Sequence, residues 1–428
     1  MSTGGTLSEK EQEKLRVIKN AVEGRTTNGE AGKLLCLSVR QIKRLKQHFR
    51  REGETAMVHG LKNKKSNHAF SNIVKEETLH IIEKNYADFK PGFATEKLQE
   101  LHQMEMTSQT IRVWMTEKGL WKKRKQKKTG AYHAWRLPKE YYGELEQFDG
   151  SYHYWFEDRF VDAYGEPIEV CLLASIDDAT GKITRAIFAA NEGIHAVFVF
   201  WRGYVTEASK PLKIYLDKFS TYKINHKSAV DNHELITQFG RSMQDLEIEL
   251  VFANSPQAKG RIERLFETLQ DRLVKELRLA KINTPEAGNQ FLTEVFIPAF
   301  NKRFGHAPRK EGDVHRPLSE TDKKNLSRIF SIQSQRKINN DFTIQFKNNW
   351  YQLLEIQTTT VRAREIVLVE EWLDGTIHFS IRGYCLNSAL SPGRPKRIKE
   401  QPSILTNHKL NWKPSEDHPW RKFKIKKS

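Results

Sequence analysis

The periodicity of the apolar residues changes twice along the chain, and this change constrains the fold more than any other feature of the sequence. In the N-terminal third, apolar residues recur every three or four positions, which is typical of amphipathic helices. From about Tyr141, strand-like runs alternate with helix-like runs, and the last hundred residues contain short alternating runs separated by turns. Because 428 residues exceed the usual size of one core, we expect several domains.

These patterns predict all-α helix-turn-helix units at the N terminus, a central α/β core and a small C-terminal β-barrel. The expected domains cover residues 1–60, 61–130, 138–310 and 325–385, and a disordered basic tail occupies 386–428. In the core, three antiparallel strands precede two strand–helix crossover units. Such an order predicts a mixed sheet flanked by helices.

The first N-terminal unit ends in a short basic helix within "LSVRQIKRLKQHFRREG". Ser38 is the expected N-cap, and the predicted inner face consists of Val39, Ile42, Leu45 and Phe49. A capped basic helix that follows two supporting helices is the arrangement with which helix-turn-helix proteins read the major groove. We therefore predict DNA contacts from the outer residues Arg40, Lys43 and Arg44. The alternative is the solvated face of an ordinary helical bundle.

A second segment, "ATEKLQELHQMEMTSQTIRVWMTEKGLW", repeats this plan. A turn is expected at Met104–Ser108 and a final helix at Gln109–Lys118. The run "WKKRKQKK" follows directly and contains six basic residues in eight. So many like charges favour phosphate contacts over independent folding, and we expect Lys122, Lys123 and Arg124 to bind the DNA backbone.

The overall charge supports a polyanionic partner. Lys and Arg number 71 against 53 Asp and Glu, which gives a net charge of +18, so double-stranded DNA is the expected partner. The three cysteines have no metal-ligand or disulfide spacing, and no apolar run is long enough to span a membrane. We therefore expect a cytoplasmic protein without membrane contact.

Three acidic residues stand where a metal-dependent site could form. Phosphoryl transfer is commonly run by two divalent metals about 3.5 to 4 Å apart, which prefer carboxylate oxygens. Asp149 lies in or at the end of the first predicted strand, Asp217 follows the fourth, and Glu263 begins a helix. The apolar stripe of that helix leaves Glu263 on the flank that faces the edge of the sheet. Taken singly, each acid is more often a turn or cap residue.

The neighbours of these acids invite two further interpretations. Lys259, Arg261 and Arg264 are predicted to contact phosphates of a bound DNA end, the alternative being solvated helix charges. Asp177 and Asp178 are adjacent in "DDATGK", which is typical of a hairpin turn, and we expect neither to bind metal.

Four stretches resemble a known family. They are "QFDGS" at 147–151, "IYLDKFSTYKIN" at 214–225, the long motif at 237–279 that contains "NSPQAKGRIERLFETLQDRL", and "FNKRFGHAPR" at 300–309. These residues resemble the integrase-like transposases of insertion sequences, most closely the group called ISNCY, over nearly the whole chain. The spacer between Asp217 and Glu263 is longer than in the wider integrase pattern, and "KINHKSAVDNHELI" is the expected insert.

The resemblance implies an RNase H-like catalytic core with an Asp, Asp, Glu triad, which matches Asp149, Asp217 and Glu263. It implies that water attacks a phosphodiester at the end of the element, and that the freed 3′ hydroxyl attacks target DNA without a covalent enzyme intermediate. The triad would hold Mg²⁺ or Mn²⁺, with two ions expected. Synapsis of two element ends implies a homo-oligomer on DNA, in a bacterial, nucleoid-associated protein.

Two other functions fit parts of the sequence. A DNA-binding regulator with an inactive integrase-like domain would also need the basic helices. The complete acidic set favours an enzyme, because three clustered carboxylates repel one another without metal. A nuclease of the RNase H type that only hydrolyses would have no need of paired helix-turn-helix units and a barrel.

Overall fold

The computed structural model of the chain describes residues 8–58, 69–123, 137–216, 232–252, 260–393 and 413–422. The chain divides into two compact units, 1–128 and 129–428, and each is described by itself. None of the described helices is long and apolar enough to cross a membrane.

The first unit begins with three helices, α1 (Glu9–Val22), α2 (Asn28–Leu35) and α3 (Val39–Glu52). The hydroxyl groups of Thr27 and Ser38 accept the backbone N–H groups of Glu30 and Gln41, so α2 and α3 start at satisfied N-caps. Ile18, Ala31 and Ile42 are fully buried at the centre. Val39 was expected on the inner face but is 46% exposed: it is the first residue of α3 and is not part of the apolar core of the three helices.

Three more helices follow in the first unit, α4 (Asn72–Asn85), α5 (Pro91–His102) and α6 (Ser108–Glu117). The predicted turn and final helix are confirmed to within a residue or two. Ile82, Leu98, Ile111 and Met115 are fully buried, so the apolar spacing found in the sequence does form a core.

A five-stranded sheet forms the centre of the second unit, with strand order β3-β2-β1-β4-β5. Its strands are β1 (Glu146–His153), β2 (Val170–Asp177), β3 (Ile183–Ala189), β4 (Lys213–Leu216) and β5 (Glu249–Phe252). The first three are antiparallel neighbours, whereas β4 is parallel to both β1 and β5. The predicted mixed sheet and the predicted β2–β3 hairpin are confirmed.

Helices cover both faces of this sheet. They are α7 (Ile194–Ala208), α8 (Asn232–Asp245), α9 (Gly260–Leu279), α10 (Pro285–Phe291) and α11 (Ile297–Phe304). One apolar core lies between the sheet and α9 to α11, and a second lies between the sheet and α7 and α8. A π-helical turn at Leu292–Phe296 lies between α10 and α11.

Two asparagines complete the exposed edge of β3. The side chain of Asn301 donates to the carbonyl of Ile183 and accepts its N–H group, both over 2.8 Å. Asn289 makes the same pair of bonds to Phe188, over 3.1 and 2.6 Å. These amides replace the bonds of a further strand, so the edge is protected from pairing with another chain.

The C-terminal region begins with α12 (Glu320–Ile329) and continues as seven strands. They are β6 (Ile332–Lys337), β7 (Thr343–Phe346), β8 (Asn349–Leu353), β9 (Ile366–Glu371), β10 (Ile377–Ile381), β11 (Tyr384–Leu386) and β12 (Ser388–Ser391). The prediction of a closed barrel is not confirmed. Within residues 332–391 the strands form two sheets, β11-β10-β9-β6 and β12-β8-β7, over one shared core. Alternating apolar residues specify that faces pack, but they do not specify that sheet edges join.

Candidate active site

Asp149 lies on the central strand of the sheet. Its backbone is opposite Ala174 of β2, and β1 also pairs with β4 at Glu146 and Gln147. Leu216 is the last described residue of β4, and Asp217 lies outside the described residues. The side chain of Asp149 is half-buried, so it sits where the strand leaves the core and reaches the surface.

The face of β1 that carries Asp149 looks toward α9. Side chains alternate along a strand, so Gln147, Asp149 and Ser151 share one face. The Oε1 atom of Gln147 accepts the backbone N–H of Ile262, and the Oγ atom of Ser151 accepts the side-chain amide of Gln270, each over 3.3 Å. Both partners belong to α9, so Asp149 lies between two points at which β1 contacts this helix.

The spacing of these two contacts fixes the direction of α9. Four strand residues separate Gln147 from Ser151, a rise of about 13 Å. Eight helix residues separate Ile262 from Gln270, a rise of about 12 Å. The two lengths match, so α9 runs alongside β1 in the same direction and its first two turns pass Asp149.

Glu263 is an exposed residue in the first turn of α9, directly after Ile262. Helical spacing puts Glu263, Glu267 and Gln270 on one flank, and Gln270 contacts Ser151 from that flank. Asp149 and Glu263 thus belong to two elements that lie side by side, and Glu263 is on the flank of α9 from which Gln270 contacts β1. Carboxylate oxygens are the donors that Mg²⁺ and Mn²⁺ prefer, so this pair fits a divalent ion chemically. Among the described residues, which exclude Asp217, no group of three or more His, Cys, Asp or Glu could hold a metal.

A buried polar cluster joins β1, the β2–β3 hairpin and the start of α9. The Oδ1 atom of Asp178 accepts the Gln147 amide over 2.7 Å and lies 3.0 Å from Nε of Arg261, and its Oδ2 atom accepts the Lys139 N–H over 2.9 Å. Asp178 has no exposed surface, whereas the Arg261 side chain is 23% exposed. Gln147 therefore links the buried carboxylate to the N–H group of Ile262.

The adjacent Asp177 is also buried, and it accepts hydrogen bonds from the turn of the β2–β3 hairpin and from Gly143. Its Oδ1 atom accepts the N–H and hydroxyl groups of Thr180 over 2.7 and 2.6 Å, and its Oδ2 atom accepts the Gly143 N–H over 3.1 Å. Burial raises the pKa of Asp177, while these hydrogen bonds oppose the rise. These hydrogen bonds hold Asp177 at the start of the β2–β3 turn, in agreement with the interpretation of "DDATGK" as a turn.

Negative charge near Asp149 also affects a cysteine on β2. Burial raises the pKa of the Cys171 thiol, and the charges of Glu192 and Asp149 raise it further. Cys171 is therefore a neutral, buried thiol at physiological pH.

The predicted DNA-binding residues fall into three groups. Arg40, Lys43 and Arg44 are exposed on α3, and Lys122 and Lys123 are exposed after α6. Arg124 and Lys259 lie outside the described residues. On α9, Arg264 is exposed and its Nε atom donates to the carbonyl of Gly260 over 2.6 Å, whereas Arg261 is paired with Asp178. Phosphate contact stays a prediction for all of them.

Gln147 and Asp178 are the residues of this region that the sequence interpretation missed as contributors to its geometry. The available signal was the position of Gln147 in "QFD", two residues before Asp149 and on the same face of the strand. A polar residue at a buried strand position requires a partner, and Asp178 is that partner.

Comparison with known proteins gives sequence relatives over most of the chain. The chain is 36% identical over 380 residues to a protein of Sinorhizobium fredii named as transposase y4bF, covering 89% of this chain and 80% of that one. It is 28% identical to the transposase for insertion sequence IS1202 of Streptococcus pneumoniae, covering 96% and 93% of the two chains. No model of a protein family matches the chain.

The solved structures with a detectable likeness include viral integrases. One is the intasome of simian T-cell lymphotropic virus in complex with PP2A regulatory subunit B56 gamma, at 13% identity and a TM-score of 0.31, covering 69% of this chain and 99% of that one. Another is the HTLV-2 integrase catalytic core domain in complex with magnesium, at 14% identity and a TM-score of 0.25, covering 35% and 82%.

Proposed function

The chain belongs to the integrase-like transposases, and from this we propose that it cleaves DNA at the ends of an insertion sequence and joins the freed 3′ hydroxyl groups to target DNA. The observation that carries the proposal is the pair of contacts that Gln147 and Ser151, on either side of Asp149, make with α9, the helix whose first turn contains Glu263. The order of the central strands, three antiparallel and two parallel, agrees with an RNase H-like core.

Asp149, Asp217 and Glu263 are the proposed catalytic carboxylates. Asp217 directly follows Leu216, the last described residue of β4, which is the parallel neighbour of β1. Together they would hold Mg²⁺ or Mn²⁺, two ions being the number that this chemistry commonly uses. Such ions supply activation of the attacking oxygen and stabilisation of the leaving one.

The other proposed roles belong to basic residues. Arg264, which is exposed one residue after Glu263, and Lys259 would contact phosphates beside the scissile bond. Arg40, Lys43 and Arg44 would contact the element end through a helix-turn-helix unit, and Lys122, Lys123 and Arg124 would bind its backbone. The net charge of +18 supports binding of double-stranded DNA, and a homo-oligomer on DNA would bring the two element ends together.

The test compares the protein with Glu263→Gln. The substrate is a labelled duplex made from the terminal sequences that flank the gene, together with a target plasmid and Mg²⁺ or Mn²⁺. We expect the unchanged protein to nick the duplex and join it to the plasmid, and Glu263→Gln to lose at least about a hundred-fold in both rates. Chelation of the divalent ions should stop both reactions and leave DNA binding in place.

Glu267→Gln is the matched control, because Glu267 is exposed one turn further along the same flank of α9. We expect it to retain cleavage. If both variants lost activity equally, Glu263 would have no special role. If the unchanged protein bound the duplex but neither nicked nor joined it, a DNA-binding regulator would be the better description.

A further inference from the structure

The residues that join β1 to the start of α9 are close in sequence to the proposed carboxylates. Gln147 is two residues before Asp149 on the same strand face, and Ile262 is the residue directly before Glu263. The bond from the Ile262 N–H to Gln147 Oε1 therefore joins the strand and the helix within two residues of each carboxylate. Any shift of α9 along β1 must break it.

This bond also satisfies a group that a helix cannot satisfy alone. Ile262 is the third residue of α9, and the first four N–H groups of a helix have no partner within the helix. Gln147 is completely buried, so its two ends have fixed partners, the helix N–H and the Asp178 carboxylate. Its side chain fits only one separation between β1 and the first turn of α9.

Arg261 completes the arrangement from the helix side. Asp178 is fully buried, and a buried carboxylate requires a paired cation as well as hydrogen bonds. Arg261 supplies this cation from the first turn of α9 while most of its side chain is covered. An arginine directed inward in this way is poorly placed to reach the phosphates of bound DNA, unlike the exposed Arg264 three residues later.

We propose that Gln147, Asp178 and Arg261 form a positioning cluster that sets the separation of the Asp149 and Glu263 carboxylates, and that Arg261 acts through this cluster instead of binding DNA. The inference rests on the proposed function, since it assigns those two carboxylates to the metal site. These three are positioning residues, because none of them is required to contact substrate or metal.

The test compares Arg261→Gln with its matched control Arg264→Gln, which removes the same charge from the same turn of α9. Three quantities are measured: the Kd for the element-end duplex without metal, the Mn²⁺ concentration that gives half-maximal cleavage at saturating DNA, and the Mn²⁺-induced rise in Tm without DNA. Arg261→Gln should keep its DNA Kd within about two-fold and require roughly ten-fold more Mn²⁺, the usual loss when a group that orients a metal ligand is removed. The Mn²⁺-induced rise in Tm should also be smaller for Arg261→Gln than for the unchanged protein, because the variant binds Mn²⁺ more weakly.

Arg264→Gln should show the opposite pattern, with weaker DNA binding and an unchanged Mn²⁺ requirement. Asp178→Asn keeps an acceptor for the Gln147 amide and serves as the second variant if Arg261→Gln folds poorly. The double variant Asp178→Asn, Arg261→Gln should need no more Mn²⁺ than the worse single variant, because both belong to one cluster.

The results separate this inference from the proposed function. If Arg261→Gln weakens DNA binding as Arg264→Gln does and leaves the Mn²⁺ requirement unchanged, Arg261 is a phosphate contact and the cluster proposal is wrong. If the unchanged protein neither nicks nor joins DNA, the proposed function fails, but the Mn²⁺-induced rise in Tm still decides whether the cluster governs metal binding. An equal rise in Tm in all variants would also refute the cluster.

Discussion

Replacing Gln147 by glutamate exchanges one amide of the positioning cluster for a carboxyl group of nearly the same size. In the unchanged protein the amide nitrogen donates to Asp178 Oδ1 over 2.7 Å, and the amide oxygen accepts the Ile262 N–H over 3.3 Å. An ionised carboxyl group keeps the second bond but directs an oxygen at the oxygen of Asp178. A protonated one can donate again and restores both bonds. The folded variant should therefore take up a proton.

The free energy needed to protonate the introduced carboxyl group at a given pH determines how much the free energy of unfolding falls. Burial beside Asp178 raises the pKa of the introduced group above the value of about 4.3 that glutamate has in an unfolded chain. Below that pH the variant should be nearly as stable as the original protein. As the pH rises, the free energy of unfolding should fall by about 1.4 kcal/mol per unit until the folded pKa is reached, so the loss at pH 7 is at most roughly 3.7 kcal/mol.

Urea unfolding between pH 5 and pH 8 measures this loss, with tryptophan fluorescence as the signal, since Trp155 and Trp201 are fully buried in the second unit. The matched control is Gln147→Met, which loses both hydrogen bonds at every pH. It should be destabilised by about 1 to 3 kcal/mol, with no added pH dependence. A stability difference for Gln147→Glu that is the same at pH 5 and pH 8 would refute the assignment of the amide nitrogen to Asp178.

Two further predictions concern other parts of the molecule. Burial raises the pKa of Glu146 well above its usual value, and the negative charge of Asp177 raises it further. The neutral form of Glu146 therefore stabilises the fold fully below about pH 4.5, and this stabilisation is lost as the pH rises through the folded pKa. Glu146→Gln keeps an acceptor for the Thr184 hydroxyl and should raise the free energy of unfolding at pH 8 but not at pH 4, as measured by urea unfolding. Arg44→Gln removes an exposed charge from α3 and should weaken binding of the element-end duplex. It should also reduce the slope of log K against log salt concentration by about 1, as measured by fluorescence anisotropy. An unchanged slope would mean that Arg44 contacts no phosphate.

The elements that bury regular apolar patterns could be predicted from the sequence. All eight residues of β2 are buried, and Ile262, Leu265, Leu269 and Leu273 form the buried stripe of α9, so periodicity alone identified both. The same signal does not report how sheet edges meet, which is why it led to a closed barrel. It also gave no warning of the π-helical turn after Phe291, because such turns are rare and occupy only a single turn within a helix.

The candidate site was predictable in part. The position of Glu263 relative to the apolar stripe of α9 was available from helical spacing, since the stripe leaves few directions for a polar neighbour. The contact between Gln147 and Asp178 joins residues 31 positions apart, and a polar pair leaves no periodic trace in a sequence. Arg261 was assigned to phosphate for the same reason. A basic residue beside an acidic site suggests DNA, unless a buried carboxylate of another element is known to face it.

Asp177 and Asp178, at the end of β2, contact different elements because their side chains point to opposite faces of the sheet. Consecutive side chains of a strand point to opposite faces. Asp177 accepts the backbone N–H groups of Gly143 and Thr180. Its charge raises the pKa of Glu146, whose side chain is on the face of β1 opposite to that of Asp149. Asp178 holds Gln147 and Arg261 on the α9 side. A shift of one residue in the β2–β3 hairpin would exchange the two carboxylates between faces and break both sets of bonds. The doublet therefore fixes the register of β2 against β1 as well as the start of α9, and the position of Asp149 depends on both.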